Sequence, residues 1–86
     1  MVQLKVVAVS SNLNSFGLRN MVFVGNNGQG WEAAANELNV KEKGDVLTIP
    51  EGQSITTFLV SQSFELVRHL TPSPPPEVME EVWGKS

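Results

Sequence analysis

Hydrophobic and polar positions alternate in short runs along most of the chain, and turn-forming residues separate the runs. The clearest case is Met21-Val22-Phe23-Val24, followed by Gly25-Asn26-Asn27-Gly28-Gln29-Gly30 and then Trp31. Asn-Gly between two apolar runs predicts a β-hairpin, because a tight turn needs positive φ and these residues reach it at little cost. The first arm covers Leu18 to Gly25, with Met21 and Phe23 on one face and Val22 and Val24 on the other. The second arm is expected from Trp31 to Ala34. The alanine run there favours a helix by propensity, so an irregular or single-turn segment is expected on to Asn39.

The remaining runs can be laid against this hairpin. Val2 to Val9 is rich in β-branched residues and predicts a strand, with Val2, Leu4, Val6 and Ala8 on one face. Ser10 to Gly17 reads as a loop, since Ser and Asn bond their own backbone there. Leu13 and Phe16 are the apolar residues of that loop. They are expected either to plug the end of the domain or to form a binding rim. Val40 to Asp45 is a charged turn with Gly44 at its special position, and Val46 to Ile49 is a strand that Pro50 stops. Ser54 to Val60 and Phe64 to Leu70 are both expected as strands. In the second, Phe64 and Leu66 point inward, with Glu65 and His69 on the other face.

Five to six short antiparallel strands with recurring turns predict a mainly β domain over residues 1–70, either a small barrel of SH3-like or OB-like size or an α+β arrangement. The chain then changes character. Thr71 to Pro76 holds every proline except Pro50 and must be extended, near polyproline II. Glu77 to Trp83 reads as a short helix with Pro76 in its first turn and Gly84 at its end. Val78 pairs with Val82 and Met79 with Trp83 one turn apart. So few residues cannot hold a helix alone, so this apolar stripe must rest on its own domain or on a partner. Residues 71–86 thus form a proline-rich spacer and an amphipathic helix.

Composition narrows the functional classes. At 86 residues this is one domain with a thin core. There is no Cys, which excludes disulfides and cysteine-ligated zinc. Lys5 interrupts the apolar N-terminal run and no cleavage-site pattern follows, so neither a signal peptide nor a membrane span is expected, and the cytoplasm is the expected location. A net charge of −3 with only 6 Lys and Arg argues against a broad phosphate-binding surface.

Chemistry-bearing patterns are sparse. The glycines at 25, 28 and 30 lead into Trp31-Glu32 and not into a Lys-Ser/Thr pair opening a helix, so they make a turn and not a phosphate loop. His69 is the only histidine, and no metal-ligand spacing accompanies it. Serines fall in turn-like clusters and not in a nucleophile elbow. Glu77, Glu80 and Glu81 read as a solvated helix face. These patterns predict a protein without catalytic activity, metal or cofactor. The expected function is protein–protein interaction, through Leu13 and Phe16 or through Val78, Met79, Val82 and Trp83, with a protein partner or self-association. Pro72-Ser73-Pro74-Pro75 fits a minimal P-x-x-P pattern, but no flanking Arg supports it. The alternative is an oligonucleotide-binding barrel with Arg19, Lys41, Lys43 and Arg68 on phosphate and Phe16 or Trp31 stacking on bases.

Overall fold

The computed structural model describes residues 1–84. In chain order it contains β1 (Gln3–Leu13), β2 (Arg19–Gly25), β3 (Gly30–Ala35), β4 (Val46–Thr48), α1 (Ile55–Ser61), β5 (Glu65–His69) and α2 (Pro76–Trp83). The strands form one antiparallel sheet in the order β4-β1-β2-β3-β5. The mainly β class and the five strands match expectation. Barrel closure has no ladder to support it: the sheet is open, with β4 and β5 as its two outer strands among the described residues. No helix among these residues is long and apolar enough to cross a membrane.

The hairpin at the centre forms as its sequence predicts, with one refinement. The chain reverses through three residues, Asn26 to Gly28, where Gly25 N–H donates to Gln29 O at 2.8 Å and Gly28 N–H to Gly25 O at 3.1 Å. Only Gly28 takes positive φ, at 88°. That is the pattern of a type I turn followed by a left-handed residue. The β3 alanines do not turn helical. Ala33, Ala34 and Ala35 are at most 2% exposed, and burial on both sides of the sheet overrides their weak strand propensity.

The core lies on one face of the sheet. Leu4 and Val6 of β1, Met21 and Phe23 of β2, and Trp31, Ala33 and Ala35 of β3 meet Ile49, Phe58, Leu59 and Phe64 there. The Phe23 and Phe64 rings stack at 5.7 Å between centroids. Phe58 and Leu59 come from α1, which replaces the strand expected over Ser54 to Val60. Alternation would bury Thr57, yet Thr57 is exposed while Phe58 and Leu59 are buried and Ile55 packs beside them, the spacing of a helix. Ser54 starts α1 as its cap, its Oγ accepting from Thr57 N–H at 3.1 Å.

Two bulges correct the expected strand faces. In β1, Val6 faces Phe23 and Ala8 faces Val22, which leaves Val7 as an extra residue. Beyond it Val9 joins the core side opposite Met21, and Ala8 moves to the opposite face. β1 also runs on to Leu13, so the loop expected from Ser10 is shorter. The strand is irregular there, because Ser10 Oγ bonds both the N–H and the C=O of Asn12. In β5, Ala33 faces Leu66 and Glu32 faces Arg68, so Val67 is the extra residue. His69 therefore lies on the core side, its ring 5.3 Å from that of Trp31, and not beside Glu65 as strict alternation implied.

The tail follows its sequence signals. Leu70 N–H donates to Gly30 O at 2.9 Å and prolongs the β3–β5 ladder. Pro74 then passes so close to Gly30 that a Cβ there would meet its Cγ at 3.2 Å. The helix α2 ends at Gly84, whose φ is 75°.

Candidate functional site

The second face of the sheet, opposite the core, divides into two halves. α2 lies on one. Trp83 Nε1–H donates to Val24 O at 3.3 Å, and Lys5 Nζ donates to Val82 O at 3.1 Å. The Lys5 ammonium also sits 5.6 Å from the Trp83 ring centroid. Val78, Met79, Val82 and Trp83 are all half-buried, so the predicted stripe rests on its own domain.

The other half is open and carries a polar chain across three strands. Asn14, in the β1–β2 loop, accepts from Phe16 N–H at 2.8 Å and Leu18 N–H at 3.1 Å through its Oδ1. Its Nδ2 donates to Asn20 Oδ1 at 3.0 Å, and Asn20 Nδ2 donates to Glu32 Oε2 at 3.1 Å. Arg68 Nε completes the series on Glu32 Oε1 at 3.0 Å. These bonds fix the loop and tie β2, β3 and β5 together. They engage the side chains of Asn14, Asn20 and Glu32 with one another, so the series serves the structure, and Arg68 joins it through Nε alone.

Beside this chain runs a trough of about 280 Å³, lined by Asn14, Phe16, Asn20, Ala34, Glu65, Leu66 and Val67. These residues belong to the β1–β2 loop, β2, β3 and β5. The lining mixes the polar Asn14, Asn20 and Glu65 with the apolar Phe16, Ala34, Leu66 and Val67. Phe16 is 83% exposed, and Leu13 and Val67 are each about half exposed. Leu13 and Phe16, expected either to plug the domain end or to form a rim, are both exposed, and of the two Phe16 lines the trough. Leu38, just past β3, and Val60, in the last turn of α1, are exposed as well. Leu13, Phe16 and Leu38 lie where β1 and β3 finish and β2 begins, Val60 lies in α1 before β5, and Val67 is the bulged residue within β5.

The four basic residues expected to contact phosphate do not form one patch. Arg19 donates to Ser10 O at 2.8 Å and pairs with Glu37. Arg68 pairs with Glu32 at the β5 edge. Lys41 and Lys43 lie beyond β3 in the segment whose Gly44 bonds Val6 on the far side of the sheet, with Glu42 and Asp45 beside them. Trp31 is buried in the core and cannot stack on a base. Among the described residues no three His, Cys, Asp or Glu side chains gather where they could hold a metal ion.

Asn20, Ala34, Glu65 and Val67 were not legible as site residues. The trough exists only because β5 pairs with β3, and no local sequence signal marks that pairing. Leu13 and Phe16 were legible, as apolar residues stranded in a polar loop. No protein-family model matches the chain, and neither a curated protein nor a solved structure is significantly similar to it.

Proposed function

We propose that this domain is a non-catalytic protein-binding module, acting inside the cell as an accessory or regulatory component. The observation that carries the reading is that two exposed apolar side chains, Phe16 and Val67, share the lining of one trough on the open face of the sheet. An apolar surface concentrated at one place is a feature of interaction sites, whereas apolar residues scattered singly are ordinary. An aromatic ring as exposed as Phe16 is the kind of anchor that interfaces bury. The oligonucleotide alternative draws support from the Phe16 ring alone, since two of its four cations are already paired with carboxylates.

The test is recovery of partners from native lysate by the tagged full chain at about 0.15 M salt, with and without nuclease. A stoichiometric protein that survives nuclease and is lost with Phe16→Asp is the expected result. Recovery that depends on intact nucleic acid overturns the proposal and directs attention to Arg19, Lys41, Lys43 and Arg68.

A further inference from the structure

The chemistry of the partner follows from the β5 edge, and this step rests on the interaction-module reading. β5 is an outer strand, so its backbone from Glu65 to His69 is open on one side to a further strand. The bulge at Val67 and the charges of Glu65 and Arg68 guard it against indiscriminate pairing. The two charges differ in what they can still do. Arg68 has its charge paired with Glu32 through Nε, whereas the exposed Glu65 carboxylate has no partner among the described residues. Glu65 also lines the trough, next to Val67 and across from Phe16. A carboxylate without a partner in a lining that also carries Phe16, Leu66 and Val67 selects a cation next to an apolar group. The net charge of −3 attracts a basic partner and opposes a second copy of the chain.

We propose that the β5 edge accepts an extended basic–apolar peptide segment as a sixth strand. One apolar side chain of that segment enters the trough between Phe16 and Val67. A Lys or Arg two positions away, on the same face by the strand period, meets Glu65. Backbone hydrogen bonds supply attachment, and the trough and carboxylate supply selectivity.

The experiment is an NMR titration of the full chain, at low ionic strength, with two synthetic probes. One is Thr-Lys-Thr-Leu-Thr-Lys-Thr and the other is Thr-Glu-Thr-Leu-Thr-Glu-Thr. The expected result is a shift of the Glu65 to His69 and Ala34 amides by the lysine probe, with about tenfold tighter binding than the glutamate probe. Glu65→Lys, at an exposed position that leaves the fold intact, reverses that preference. No shift at β5, or equal binding of both probes, overturns the proposal. So does a lysate partner that Phe16→Asp releases but Glu65→Lys retains; that result leaves the interaction-module reading standing and removes only the basic segment.

Discussion

Ser63 is the one non-glycine residue with positive φ among the described residues, at 63°. It closes α1: Ser63 N–H donates to Val60 O at 2.9 Å and Phe64 N–H to Leu59 O at 3.0 Å. This is the paired pattern that usually carries glycine at the left-handed position, with Phe64 and Leu59 making the accompanying apolar contact. Serine bears a Cβ penalty there that glycine lacks, partly offset by the greater freedom of glycine in the unfolded chain. Ser63→Gly is therefore expected to raise stability by about 0.5–1 kcal/mol, seen as a higher urea midpoint with unchanged slope. A lower midpoint would show that the serine hydroxyl contributes more than its backbone costs. Asn14 shows the opposite economy of design at the same scale. One side chain satisfies two loop N–H groups and also reaches Asn20, so the loop that presents Phe16 is held without any core contact of its own.

Between elements the attachments are unequal. α1 inserts Phe58 and Leu59 into the core, whereas no residue of α2 is fully buried. Trp83 and Lys5 make side-chain hydrogen bonds that tie α2 to the sheet. Trp83→Ala is expected to cost about 1–2 kcal/mol, below the usual cost of a fully buried tryptophan. Amide exchange should accelerate in α2 while the amides of Phe23 and Ala33 stay protected. Loss of protection throughout the sheet would mean that α2 is part of the same cooperative unit.

The elements also show where the sequence was readable. The hairpin, β4 and α2 were marked by Gly28, by Gly44 and Pro50, and by Pro76 and Gly84, residues that act through their own backbone. Over α1 the branched side chains of Ile55, Thr56 and Thr57 resemble a strand and mask the helix. The competing signal was Ser54 with Thr57, an N-cap and the amide it binds. The bulges at Val7 and Val67 had no local mark, because each arises from the register a partner strand imposes. The same limit hid most of the trough. Phe16 stood out in its loop, but Glu65 acquires its setting from Ala34, far away in sequence.

Across the whole molecule a single one-sided core provides the cohesion. The salt bridges among the described residues, Arg19–Glu37 and Arg68–Glu32, each have a well-exposed partner, and such pairs contribute little. Leu59 is fully buried where α1 meets the sheet. Leu59→Ala is expected to cost about 3 kcal/mol, within the range for buried leucine and a large share of the roughly 5–15 kcal/mol available to a small domain. Thermal unfolding checks this, and a change below about 1 kcal/mol would place the cohesion elsewhere. The strand order has a kinetic consequence. β1, β2 and β3 pair across short connections, so their ladders close small loops at low entropic cost. β4 and β5 must each return across a long stretch of chain to reach β1 and β3. The meander can thus assemble first as a template, and the strand that borders the trough joins it only when the long loop through α1 has closed.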